Sequence, residues 1–329
     1  MTKEEKELVE SLRNEGVSYF DISKQVGVSQ DAIRNYFYRE RMNKEIVEEE
    51  EKFVIRIPDR LIRLNDLPPY TQKGDEEAIL DLSDWHYGAE INSQIAIYNT
   101  DTAELRITYL ADKVTEILLN FHPKVKTIHL FWKGDIVDGE NIYPDQHYYS
   151  IPISEQIEGV IAPAMYLIDR LSQHFYVDNN SVSGNHGRTS RNSRPNDTFD
   201  HVVYTTLARI YPKMVWNISD DWWTRVKILN TTFLLMHGED TSNSKEPYSF
   251  IERAVVSYRK MMGDFDYLSV GHFHHYFMTE NVIGNGCVSG SSFFSQRKLM
   301  SAVPPSQNLM LVSPKHGRTV VRPINLEHA

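Results

Sequence analysis

Five times between residues 78 and 275, a short apolar run ends abruptly in a cluster of carboxylate, amide or imidazole side chains. The clusters are Asp84-Trp85-His86, Gly134-Asp135-Ile136-Val137-Asp138, Gly184-Asn185-His186, His237-Gly238 and Gly271-His272-Phe273-His274. The runs before them, at 78–84, 127–133, 176–183, 232–237 and 267–270, read as strands. Amphipathic stretches at 102–120, 154–173, 197–211 and 247–262 read as helices between the strands. From Tyr276 onward the chain reads as strand-rich, with frequent Gly, Ser and Pro turns. Such an alternation predicts an α/β sandwich with helices over its outer faces, and it places the clusters in loops at strand ends.

The clusters restrict the chemistry as well as the fold. A polar group buried at a strand end needs a partner, and several converging at one place need a cation. Mixed Asp, Asn and His donors suit Mn²⁺, Fe²⁺ or Zn²⁺ better than Ca²⁺, with Mn²⁺ the first choice. The single cysteine, Cys287, excludes an internal disulfide framework and argues against a structural zinc site. Each cluster alone is an ordinary structural feature; the weight lies in five of them in order, each after a strand.

That ordered set resembles the calcineurin-like metallophosphoesterase superfamily over most of residues 76–295. Within it, Leu82-Ser83-Asp84-Trp85-His86-Tyr87-Gly88 is similar to the first motif of double-strand-break repair exonucleases. Asn285-Gly286-Cys287-Val288-Ser289-Gly290-Ser291 is similar to the small-residue turn that follows the superfamily's last histidine motif. The resemblance implies a four-layer α/β/β/α sandwich holding two divalent metal ions. Asp84, His86, Asp135 and His274 would hold one ion. Asp135, Asn185, His237 and His272 would hold the other, with Asp135 shared. A hydroxide activated between the ions would attack phosphorus in line with the leaving oxygen.

The resemblance further implies that His186 is no ligand and protonates the leaving alkoxide, with Asp138 orienting its imidazole. A capping role before Gly139 is the alternative for Asp138. After His186 the chain departs from the commonest pattern, with Gly187-Arg188 where many members carry an acidic residue. Arg188, followed by Arg191 and Arg194, is expected to grip phosphate; a solvated loop is the alternative. The Arg-Gly-Asn-His-Glu form typical of protein phosphatases is absent.

Residues 1–41 read as three short helices, with Leu8, Val9 and Leu12 inward on the first and Tyr19, Ile22 and Val26 inward on the second. Gly27-Val28 forms the turn, and Ser29 is an N-cap candidate for the third. The stretch from Asp21 to Ser29 resembles helix-turn-helix modules of recombinases and small phage DNA-packaging proteins. DNA is the expected partner, read through Gln30, Arg34, Asn35, Arg39 and Arg41; a protein-docking module is the alternative. Residues 42–75 read as a linker and 76–329 as the metallophosphoesterase catalytic domain.

The formal net charge of −10 argues against a protein that coats nucleic acid through charge alone. No apolar stretch of ~18 residues suggests a membrane span, and residues 1–10 lack a signal-peptide core. The expected compartment is the cytoplasm. The domain combination is similar to phage and prophage proteins, which would make it a host cytoplasm. The function expected is metal-dependent hydrolysis of phosphodiester bonds in DNA. The alternatives are a phosphodiesterase or phosphatase on a small nucleotide or phosphomonoester, and a non-catalytic DNA-binding scaffold. His147, Tyr148, Tyr149 and His275 are weaker cleft candidates, and Trp216, Trp222 and Trp223 read as core or interface aromatics. His122, His129, His174 and His201 are given no role.

Overall fold

The computed structural model describes residues 2–14, 17, 19–29, 33, 36, 76–93, 96–140, 142–143, 146, 150–241, 247–290, 304–327 and 329. The chain divides into two compact units, Met1–Arg60 and Leu61–Ala329.

In the first unit, α1 (Lys3–Asn14) and α2 (Tyr19–Val26) are helices. Thr2 and Glu5 cap α1 reciprocally, the Glu5 amide donating to Thr2 Oγ1 at 3.2 Å and the Thr2 amide to Glu5 Oε2 at 2.6 Å. Val9, Ile22 and Ile33 are fully buried together, with Leu12, Val26 and Val28 against them. Leu8 is not inward as expected but 49% exposed. The apolar stripe runs through Val9 and Leu12, and adjacent helix positions lie ~100° apart, which leaves Leu8 at its edge. The Ile33 amide donates to the Ser29 carbonyl at 3.1 Å. The base-reading candidates Gln30, Arg34, Asn35, Arg39 and Arg41, and the linker 42–75, lie outside the described residues.

The second unit is the four-layer α/β/β/α sandwich. One sheet holds β1 (Glu77–Leu82), β4 (Thr127–Trp132), β5 (Tyr176–Ser181) and β6 (Val215–Ile218), which pair in parallel in that order. Two antiparallel strands, β12 (Ser306–Ser313) and β13 (Gly317–Asn325), complete it beyond β1. The other sheet runs β10 (Phe277–Met278), β11 (Val282–Gly284), β9 (Tyr267–Val270), β8 (Thr231–Met236) and β7 (Trp223–Ile228). A small ribbon joins β2 (Ile91–Asn92) to β3 (Ile97–Tyr98). The parallel strands are connected through α3 (Thr100–Phe121), α4 (Ile153–Ser172) and α5 (Phe199–Ile210); α6 (Pro247–Met262) connects β8 to β9.

Strand alternation builds the layers. On β1, Ala78, Leu80 and Leu82 pack toward Ile107, Leu110 and Val114 of α3 and Val160 and Leu167 of α4. Ile79 faces the opposite way, into the inter-sheet core with Phe131, Phe233, Leu235 and Met310. On β8 the same rule sends Phe233 and Leu235 inward, while Leu234 and Met236 pack on Ile251 and Val255 of α6. Central strands buried on both faces explain why the sequence shows continuous apolar runs rather than alternation. Asp81 is the exception. Its carboxylate meets Lys133 Nζ at 3.0 Å, both side chains fully buried, and Lys133 Nζ also donates to Ser269 Oγ at 2.9 Å and the Val270 carbonyl at 3.1 Å. Through Ser269 and Val270 of β9, this pair, made within the first sheet, reaches the second sheet beneath the strand ends where the clusters emerge.

Candidate metal centre

The loops that leave β1, β4, β5, β8 and β9 are tied to one another by backbone bonds. The Asp84 amide donates to the Gly134 carbonyl at 3.1 Å, His86 to Asp135 at 2.9 Å, and Gly271 to His237 at 2.9 Å. Glycines permit the closest approach: a Cβ on Gly184 would stand 2.2 Å from Asp135 Oδ1, and one on Gly134 would stand 2.1 Å from the Gly184 nitrogen. Asp200, fully buried in the first turn of α5, clamps these loops. Its carboxylate accepts from the amides of Asp135 at 3.0 Å, Ile136 at 2.9 Å and Gly184 at 2.9 Å.

The result is a strained ring of ligand-type side chains. Among the described residues, six that are not glycine adopt a left-handed backbone. Five of them are Asp84 (φ 55°), His86 (48°), Asp135 (54°), His272 (64°) and His274 (60°). Each such conformation costs about 1–3 kcal/mol and persists only where the surroundings impose it. The side chains gather in three overlapping sets: Asp84, His86 and His274; His86, Asp135 and His186; and Asp135, His237 and His272. Within each set the ligand atoms lie within 4.8 Å of one another. Asn185 joins the third, its Oδ1 3.0 Å from His272 Nδ1. All seven residues expected as ligands are therefore brought together.

The site fits a cation on its own geometry. Asp135 Oδ2 and His237 Nε2 are buried, 3.0 Å apart, and neither makes a hydrogen bond among the described residues. His237 Nδ1 donates to the Lys133 carbonyl at 2.7 Å, so Nε2 is the nitrogen turned to the carboxylate and the one a cation would take once its proton is displaced. His86 Nδ1 faces Asp138 Oδ1 at 3.1 Å, and its Nε2 points at His274 Nε2 at the same distance. With Asp84 Oδ1 3.5 Å from His274 Nε2, these two imidazole nitrogens and that carboxylate form a donor set for a divalent ion.

Charge in the site follows the same pattern. Burial disfavours an imidazolium at His237, yet Asp135 and then Asp84 lift its pKa to about 10. Burial and the neighbouring His237 push His272 down to about 3, and burial with His86 holds His274 well below its ordinary value. Both therefore present neutral rings able to ligate. Burial also raises Asp84, with Asp135 adding to it against the pull of His237 and His86. Asp135 is held well below the carboxylate range by His237 and His186 despite its burial.

His186 stands beside these groups. Asp138 Oδ1 lies 3.2 Å from its Nδ1, and Ser150 Oγ donates to the other carboxylate oxygen. Asp138 thus touches His86 and His186 together, where the sequence suggested only the second. Against burial, Asp135 and Asp138 raise His186 to about 9. Arg188 is paired with Glu239, and its guanidinium stacks 4.4 Å from the Trp222 ring. Arg191 and Arg194 are exposed, as a solvated loop would have them. Trp216 packs on the core, stacked 6.5 Å from Trp132. His275 is half-buried with Nδ1 2.7 Å from the Phe273 carbonyl. His147, Tyr148, Tyr149 and Ser291 lie outside the described residues.

Several site residues gave no signal in the sequence. Gln307, on β12, accepts from the Ser83 amide at 3.0 Å and donates to the Ser83 carbonyl at 3.1 Å, extending the ladder beside β1 up to Asp84. Gln146 spans Tyr143, Asp138 and His186. Tyr143 leans on His186 with ring centroids 4.7 Å apart, and its hydroxyl, raised by burial and by Asp135, accepts from Asn185 Nδ2 at 2.8 Å.

No family model and no curated protein matches the chain. Solved structures do align with it. Wild-type Vps29 complexed with Zn²⁺ from Entamoeba histolytica is 13% identical, covering 76% of this chain and 99% of its own, at a TM-score of 0.34. A novel archaeal phosphodiesterase is 15% identical, with 75% and 99% covered, at 0.34. A predicted phosphoesterase from Streptococcus pneumoniae is 11% identical, with 76% and 98% covered, at 0.31.

Proposed function

We propose that the chain is a metal-dependent phosphoesterase of the calcineurin-like kind that hydrolyses phosphodiester bonds, with DNA as its substrate. One observation carries this reading: the left-handed backbone at Asp84, His86, Asp135, His272 and His274, which turns carboxylates and imidazoles onto one spot. Asp84, His86, Asp135 and His274 would hold one divalent ion, and Asp135, Asn185, His237 and His272 a second, with Mn²⁺ preferred to Fe²⁺ or Zn²⁺. Bound cations of this kind supply Lewis acidity and a water-derived nucleophile at neutral pH.

The remaining work falls to the protein's own groups. Asp138 fixes the His186 ring through Nδ1, so that Nε2 carries the proton a leaving alkoxide takes up. Bound cations would lower the His186 pKa from about 9 toward neutrality, where it donates more readily. Glu239 and Trp222 restrain Arg188, whose guanidinium would complement the phosphoryl charge. The helices of the first unit would bring DNA to the site.

The pairing of Arg188 with Glu239 also favours a second reading. It removes positive charge from the site in a chain already at −10, and a small nucleotide or phosphomonoester needs no extended basic track. The complete set of ligand-type residues speaks against a non-catalytic scaffold. Hydrolysis of bis-p-nitrophenyl phosphate, p-nitrophenyl phosphate, a cyclic nucleotide and linear DNA, each with Mn²⁺ and with chelator, tests these readings. Mn²⁺-dependent cleavage of the diester and of DNA is the expected result. Cleavage confined to the monoester or cyclic nucleotide would shift the substrate to a small molecule, and no cleavage of any would overturn the enzymatic reading.

A further inference from the structure

Tyr143 combines features that a packing residue does not need. It is 41% exposed, yet its hydroxyl reaches a buried amide, Asn185 Nδ2, at 2.8 Å. Its ring lies at 34° to the His186 imidazole, with centroids 4.7 Å apart. The segment that carries it is pinned from beneath by Gln146, itself 3% exposed. Gln146 Oε1 accepts from the amides of Ile142 and Tyr143, each at 2.8 Å. Its Nε2 donates to the Asp138 carbonyl and lies 3.2 Å from His186 Nδ1. The same glutamine therefore ties Tyr143 to the Asp138 backbone and to the imidazole proposed for proton transfer.

The hydrogen-bond directions decide what the hydroxyl can do. Asn185 Oδ1 is turned to His272 Nδ1 at 3.0 Å, which leaves Nδ2 toward the tyrosine. An amide nitrogen only donates, so the tyrosine oxygen is the acceptor in that pair. Its own proton is then directed elsewhere. The hydroxyl is held between a candidate metal ligand and the candidate proton donor on an exposed side chain, so its proton is available to a group bound beside them.

We propose that Tyr143 is a catalytic residue of this site, its phenolic O–H donating to a phosphoryl oxygen of the substrate while its oxygen accepts from Asn185. The inference rests on the phosphoesterase reading above. Charge grows on the non-bridging oxygens in the transition state, and a fixed donor is worth most there. No proton is transferred; Tyr143 stays a phenol throughout and acts by hydrogen bonding.

The test is Tyr143→Phe in the full chain loaded with Mn²⁺, which keeps the ring against His186 and removes only the hydroxyl. Three quantities are measured: metal content by elemental analysis, affinity for inorganic phosphate by calorimetry, and kcat and KM on bis-p-nitrophenyl phosphate. The expected variant keeps its metal, binds phosphate about tenfold more weakly and loses about 10²-fold in kcat, with KM changed far less. Equal phosphate affinity in both proteins overturns the proposal, whatever the wild type hydrolyses. Loss of metal in the variant overturns it too, because Tyr143 would then act through Asn185 alone. A wild type that hydrolyses nothing but binds phosphate more tightly than the variant would keep Tyr143 and remove the phosphoesterase reading.

Discussion

His186 has the most separable role among the side chains of the site. It touches Asp138 at 3.2 Å, and Tyr143 covers one side of its ring. If it donates the proton to the leaving oxygen, its value depends on how poor that leaving group is. His186→Ala should retain metal and lose about 10²–10⁴-fold in turnover on DNA or an alkyl phosphodiester. The loss should be much smaller on an aryl ester, whose leaving group needs no proton. Equal losses on both substrates would remove the general-acid role. At this scale the sequence was informative where a polar residue follows an apolar run, as at Asp84, Asp135, Asn185, His237 and His272. It was silent on the groups behind them. Asp200 looks like any acidic residue in a helix's first turn, and Gln307 like any polar residue on a strand. What sets them apart is the backbone they meet from elsewhere in the chain. The left-handed ligands were equally hidden: Asp and His adopt positive φ more readily than most residues, but nothing local singles out these five.

At the scale of elements, the central strands and covering helices lie close to where periodicity puts them. The helix expected at 247–262 is Pro247–Met262, and the one expected at 102–120 is Thr100–Phe121, set back by the Asn99 cap, whose Oδ1 accepts from the Thr102 amide at 2.9 Å. The strands β6 and β7 carry weaker signals. In Trp223–Ile228 the alternation Trp-Thr-Arg-Val-Lys-Ile is present, but a tryptophan at its head reads equally as a core or interface aromatic. A second feature of the strands is visible only in the sheet register. His129 on β4 lies between Glu77 of β1 and Asp178 of β5, with Nε2–Oε2 at 2.8 Å and Nδ1–Oδ2 at 3.0 Å. Burial opposes its charge, but hydrogen bonds to Asp178 and Glu77 prevail and raise its pKa.

An unfolded imidazole titrates near ~6.5, and the folded one titrates higher. The protonated ring thus stabilises the fold fully below the unfolded value, and this contribution is lost as pH rises through the folded one. Relative to His129→Gln, the wild type should be more stable by about 3 kcal/mol near pH 6. The advantage should shrink as the pH is raised from there, in urea unfolding followed by circular dichroism. A difference that stays constant across that range would show that His129 acts by packing alone.

For the whole molecule, the sandwich was legible because buried parallel strands and amphipathic helices each leave a strong pattern. The contacts between sheets were not, since Asp81 sits inside an apolar run and its partner Lys133 comes from the next strand. Such a buried ion pair adds little net stability, as the cost of desolvating both charges offsets their attraction. It does join the two sheets at the level where the five loops emerge. Among the described residues, no helix is long and apolar enough to cross a membrane. The first unit supplies a small apolar core around Val9, Ile22 and Ile33.

The central claim is that the strained ring of carboxylates and imidazoles is built to hold divalent cations, with Asp135 common to two of them. Elemental analysis of the wild type and of Asp135→Asn, each dialysed against Mn²⁺ and then freed of excess metal, addresses it directly. The account predicts about two Mn²⁺ per wild-type chain, as a shared carboxylate between paired ions requires, and loss of both from the variant while the fold is kept. A wild type that retains no metal, or a variant that retains its full complement, would contradict it.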